Sequence, residues 1–153
     1  MLRQARTLSS EETKDLTQLE SIWYEGDIGN DEHYNWTRYY ALNLHSVFYR
    51  GTVEWRCFNS TLHAGRAAAY VNLCLAISAQ AIAQRSTVMR KTRSDNELFT
   101  FRVWLVRLGL NGNEFKHTRD HLLANLEGDR AWRYDKDSYE VNRKKKKQRE
   151  AER

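Results

Sequence analysis

Leu16, Leu19, Ile22 and Trp23 recur at helical spacing and stop at Gly26. Ser9 and Glu12 precede them at the spacing of a capping box, so the pattern predicts a first helix. The polar stretch DIGNDEHYNWTRYY is rich in turn formers and reads as a loop. Two short runs follow, ALNLHSVF and TVEWRCF, joined through Tyr49, Arg50 and Gly51; both read as strands, and the glycine-containing connection predicts an antiparallel β-hairpin. In the second run Val53, Trp55 and Cys57 fall on one face, and Glu54 and Arg56 lie side by side on the other. NSTLHAG turns into a helix from about Gly65 to Gln84. Its apolar run, Ala67 to Ala83, is interrupted by Asn72, Ser78 and Gln80, and reads as a buried helix too short and polar to span a bilayer. Ser94 and Glu97 then open a helix with Leu98, Phe101, Leu105 and Leu108 on one face, and another helix runs toward Gly128. Trp132 is expected to hold the following segment against the body. The expected fold class is α+β: a helix, an antiparallel β-hairpin, then three helices. Two strands make no stable sheet alone, so helices cover the hairpin or strands come from elsewhere.

Composition sharpens this picture. At 153 residues, with 41% hydrophobic and 12% aromatic content, the chain can bury a core and is not a disordered polymer. The net charge of +5 is local: Arg143 to Arg153 holds seven basic and two acidic residues, which is the whole excess. The expected division is therefore a body, residues 1–134, and a basic, disordered tail, residues 135–153, with nucleic acid touched only through that tail if at all. Cys57 and Cys74 belong to no CxxC or Cys/His cluster, which argues against a zinc site. Two isolated thiols and no recognisable leader lead to the expectation of a cytoplasmic protein with no membrane partner.

No phosphate-binding GxxxxGK[ST] loop, GxSxG elbow or HExxH helix is present. The remaining candidates are polar groups around the hairpin: Arg38, Asn43, His45, Glu54, Arg56, Asn59 and His63. Each has a plain structural reading. Glu54 and Arg56 make a surface ion pair, His45 is a hydrogen-bonded structural histidine, and His63 caps a turn. Trp23, Trp55, Trp104 and Trp132 read as core anchors. Spacing alone leaves these alternatives open.

Several phrases in order carry a resemblance. They are Arg38-Tyr39 with Leu42-Asn43, then HSVF, GTVEWR, FNSTLHAG and a small-residue helix, followed by FTFRVWLVRLGLNGNEFKHTRDHLLANLEGDRAWR. From Ile22 to Arg133 the chain resembles the C-terminal portion of the amidoligase family, carboxylate–amine ligases with a glutamine synthetase-like fold found in phages and mobile elements. The resemblance implies ATP and Mg²⁺ as cofactors, with a carboxylate and an amine, peptide or protein among them, as substrates. It implies Glu54 as metal ligand, Arg56 and Arg38 as catalytic arginines on the phosphate side, and Asn43, Asn59 and His63 near substrate. Such a reaction needs cations and arginines because a carboxylate must attack a polyanion.

The family's upstream strands with paired glutamates find no counterpart, so the resemblance implies a rear portion lacking N-terminal strands, weakly active or inactive by itself. A partner chain or self-association would complete the sheet. The alternative is a noncatalytic phage or mobile-element binding or assembly module whose basic tail touches nucleic acid.

Overall fold

The computed structural model describes residues 16–26, 33–88, 90–134 and 136–151. Within them, six α-helices and a two-stranded antiparallel sheet make an α+β fold: α1 (Leu16–Trp23), β1 (Leu42–Asn43), α2 (His45–Arg50), β2 (Glu54–Trp55), α3 (Ala64–Ala83), α4 (Glu97–Arg107), α5 (Lys116–Leu123) and α6 (Lys136–Ala151). They divide into two compact units, Met1–Ser60 with Ala81–Lys91, and Thr61–Gln80 with Thr92–Arg153.

The first unit departs from the expected hairpin. The run read as a strand, ALNLHSVF, contributes two residues to β1 and then turns into α2. Leu42, Leu44 and Phe48 fit an alternating period, but Leu44, Val47 and Phe48 sit at i, i+3 and i+4 and fit a helical one. Gly51, expected in a hairpin turn, instead ends α2 in the left-handed region (φ 70°), and its N–H reaches the Ser46 and Val47 carbonyls. β2 is equally short. Val53 and Cys57 are exposed and Trp55 is half-buried, so the expected apolar face forms no buried layer. The strands still pair antiparallel, with Leu42 opposite Trp55 and Asn43 opposite Glu54. Arg56 N–H extends the pairing by donating to the Ala41 carbonyl at 2.7 Å.

α1 ends as expected, its Ser9–Glu12 cap lying outside the described residues, and Gly26 adopts φ 97°. Within the stretch expected to be a loop, Trp36–Tyr39 form a 3-10 turn. Asn35 caps it, its Oδ1 accepting from the Thr37 N–H (2.9 Å) and hydroxyl (2.7 Å). Trp23 Nε1 donates to Thr37 Oγ1 at 2.9 Å and ties α1 to this turn.

The second unit is built on leucine. Leu73 of α3, Leu98 and Leu105 of α4, Leu108, Leu110 and Leu123 are all buried, with Ala69. The expected face of α4 is thus present. Its cap is Asn96 and not Ser94: Asn96 Oδ1 accepts from the Phe99 N–H at 3.0 Å, while the Ser94 hydroxyl bonds Thr100. Asn96 Nδ2 also donates to the carbonyls of Asp129 and Trp132. Trp132 itself is 58% exposed, so its segment is held by the Asn96 amide on its carbonyls and not by the expected burial of the indole. Asn72 Nδ2 donates to Thr118 Oγ1 at 2.9 Å, joining α3 to α5.

α3 corrects two expectations. Only Ala69 and Leu73 are buried along it, while Val71 and Leu75 are more than half exposed. By length and composition its 20 residues, with a window of mean hydropathy 1.2, are apolar enough to cross a membrane, so polarity and shortness do not exclude that. The segment expected to be a disordered tail is helical as α6. Its run of Lys, Arg, Gln and Glu lacks Gly and Pro and has good helix propensity.

Candidate active site

β-pairing brings the first polar group together. Because Asn43 stands opposite Glu54, their side chains share a face, and Asn43 Nδ2 donates to Glu54 Oε2 at 2.6 Å. Asn43 is almost fully buried; its Nδ2 also reaches Ser46 Oγ at 2.9 Å, and its Oδ1 accepts from the Ser46 N–H. On the other oxygen of Glu54, Arg56 Nη1 donates at 3.5 Å. The Asn43 hydrogen bond is the main cause that holds the Glu54 carboxyl below its usual range; partial desolvation opposes it, and Arg56, Ser46 and Arg38 add to the lowering.

Aromatic rings carry the arginines. Tyr39 has the Arg38 guanidinium 5.5 Å and the Arg56 guanidinium 5.4 Å from its ring centre, and Arg38 also lies over Tyr34. Arg50, at the end of α2, lies 5.7 Å from the Tyr49 ring. Arg38, Arg50, Arg56, Tyr49 and Glu54 line one cleft of about 470 Å³ together with Asn43, His45 and Ser46. Among the described residues, three guanidiniums and one carboxylate line it, a positive balance. Among the described residues no ion pair joins Arg38 or Arg50 to a carboxylate. Arginine forks held by ring stacking keep several N–H donors for a ligand, and planar oxyanions match that geometry.

Of the residues expected from sequence, the structure gathers Arg38, Asn43, Glu54 and Arg56 in the cleft. Asn59 is exposed and lies outside its lining. His63 belongs to the second unit, where its Nδ1 accepts from the Arg66 N–H at 3.3 Å and its ring packs edge-on to His121. That fits its reading as a cap. Sequence reasoning missed Arg50, Ser46 and Tyr49. Arg50 had no signal of its own, because a strand reading placed it in a turn.

The family model described as "Putative amidoligase enzyme" matches residues 1–78, half of the chain. The chain belongs to the amidoligase family. The matched stretch contains every residue that lines the cleft, whereas the resemblance over Phe99–Arg133 lies beyond it. No curated protein and no solved structure matches this amidoligase-family chain.

A divalent cation wants about six oxygen ligands. Among the described residues no group of three or more His, Cys, Asp or Glu side chains converges, and both oxygens of Glu54 are already engaged. The described side chains therefore do not by themselves fit Mg²⁺.

Proposed function

We propose that this amidoligase-family chain takes part in ATP-dependent ligation of a carboxylate to an amine, and that its cleft holds the anionic groups of that reaction. One observation carries the reading: Arg38, Arg50 and Arg56 border a single cleft in which Glu54 is the one carboxylate among the described residues. Bringing a carboxylate to a triphosphate crowds negative charge, and fixed guanidiniums lower that barrier without reorganising. Arg56 and Arg38 are the arginines assigned to the phosphoryl or carboxylate oxygens, with Arg50 as a third. Asn43 positions Glu54, and Glu54 in turn orients Arg56. No step is drawn through Mg²⁺; a metal role for Glu54 requires further oxygens from substrate phosphates or another chain.

The same proposal includes a glutamine synthetase-like fold, a cytoplasmic setting in which Cys57 and Cys74 stay as free thiols, and a second chain or copy that completes the two-stranded sheet. Titrating MgATP calorimetrically into the full chain, beside Arg56→Met and Glu54→Ala, tests it. Saturable binding that Arg56→Met weakens at least tenfold is the expected result. An affinity identical in the three proteins would remove the cleft from the reaction.

A further inference from the structure

His45 does not behave as a satisfied structural histidine. It is 4% exposed, and its Nδ1 is hydrogen-bonded to the Tyr24 hydroxyl. Its Nε2 is buried with no hydrogen-bond partner among the described residues. An unmet polar atom in a folded interior carries a cost of desolvation, and such atoms are uncommon. His45 nevertheless lines the cleft that holds Arg38, Arg50, Glu54 and Arg56, while Tyr24 does not. Nδ1 is thus bonded to a residue outside the cleft lining, and Nε2 is the unpartnered ring nitrogen of a residue that lines it. Tyr49 lies parallel to the imidazole, ring centres 6.4 Å apart.

The ring tautomer decides which partner donates in this bond. With Tyr24 donating and Nδ1 accepting, the ring proton of a neutral His45 resides on Nε2, as a donor. A donor on a residue that lines the same cleft as three guanidiniums has its complement in an anionic oxygen.

We propose that His45 is a ligand-contacting residue of the cleft, its Nε2–H donating to an oxygen of a phosphoryl or carboxylate group that the arginines hold. Tyr24 is the positioning residue that selects this tautomer. The inference rests on the reading of the cleft as an anion site, and its test does not need ligase turnover.

The test uses the full chain with ¹⁵N-labelled histidine at pH 7.5 and low salt, titrated with inorganic phosphate in one arm and acetate in the other. His45 is assigned by its loss in His45→Asn. The expected spectrum shows neutral His45 protonated on Nε2, with a saturable shift of that nitrogen in at least one arm; the arm that saturates at lower concentration identifies the group. An Nδ1–H tautomer overturns the proposal, and so does saturable binding that leaves His45 unmoved. Absence of saturable binding in both arms overturns it too. Failure of MgATP binding while phosphate still moves His45 would sink only the nucleotide part of the ligase reading.

Two variants separate ligand contact from packing. Asparagine presents its amide near the position of Nδ1, and glutamine near that of Nε2. His45→Asn keeps the bond to Tyr24 and loses the cleft donor, so phosphate affinity falls about tenfold or more. His45→Gln keeps a cleft donor and stays within about threefold, a loss well below that of a hydrogen bond to a charged group. A purely structural histidine gives the reverse order, which would refute the assignment. The tautomer measurement on the unaltered chain decides the matter if either variant fails to fold.

Discussion

The two units of this chain are stabilised in opposite ways. In the second, buried leucines from three helices and their connections make an apolar core. In the first, the buried residues among those described are Tyr24, Asn35, Thr37, Asn43 and His45, four of them polar, and what orders them is hydrogen bonding and ring stacking. An apolar core tolerates volume-conserving change and is non-directional. A buried polar network fixes the direction of each group but fails when one partner is removed. The unit that carries the cleft has the second kind of interior, consistent with a site whose donors must be aimed.

The contrast can be broken most sharply in the leucine core. Leu105 is fully buried, and Leu105→Ala is expected to cost about 2–5 kcal/mol in denaturant unfolding. It should leave phosphate titration of the cleft unaltered in the fraction that remains folded. Loss of cleft binding in that folded fraction would mean the two units are not separable in this way.

Asn43→Ala is expected to cost less, about 1–3 kcal/mol, by stripping partners from Ser46 and Glu54 in a buried site. It has a second signature. Asn43 is the main cause of the lowered Glu54 carboxyl, so its removal should raise that titration more than Arg56→Met does, read by carboxyl ¹³C NMR. The linkage sign is that of a depressed acid. Stability from Glu54 is present above the unfolded-state value, about 4.3, and is lost as pH falls through the lower folded value. An equal shift in both variants would favour charge over hydrogen bonding as the cause.

Asn96→Ala removes the cap of α4 and is expected to cost about 1 kcal/mol. Gly128→Ala should exceed this, because its φ is 126° and a β-carbon would overlap Asn96 Oδ1. Equal costs would show that the cap, and not the glycine conformation, sets the stability of this corner.

Arg56→Met sits at the small end for stability. Its pair with Glu54 is long and partly exposed, so unfolding should change by less than about 1 kcal/mol. Its effect on MgATP and phosphate affinity should be large. A variant that is nearly silent in unfolding and prominent in binding would be the clearest mark of a residue kept for function.

Much of the second unit was legible in sequence. The period of Leu98, Leu105 and Leu108 requires a buried helical face, and the positive-φ glycines mark element ends. In the first unit the adjacency of Glu54 and Arg56 was legible too, because two residues apart in an extended chain are neighbours on one face. α2 was not. Leu42, Leu44 and Phe48 alternate while Leu44, Val47 and Phe48 fit a helical period, and so short a run does not choose between them.

Sequence by itself therefore determined the α+β class, the helical face of α4, the family through ordered phrases spread over many residues, and the Glu54–Arg56 pair. These depend on periodicity and near neighbours along the chain. Tertiary structure alone decided that Asn43 faces Glu54, that Arg50 joins Arg38 and Arg56, and that His45 is buried against Tyr24 with Nε2 unmet. Strand register, helix C-termini and burial join residues far apart in sequence, and no local spacing encodes which distant partner completes a hydrogen bond.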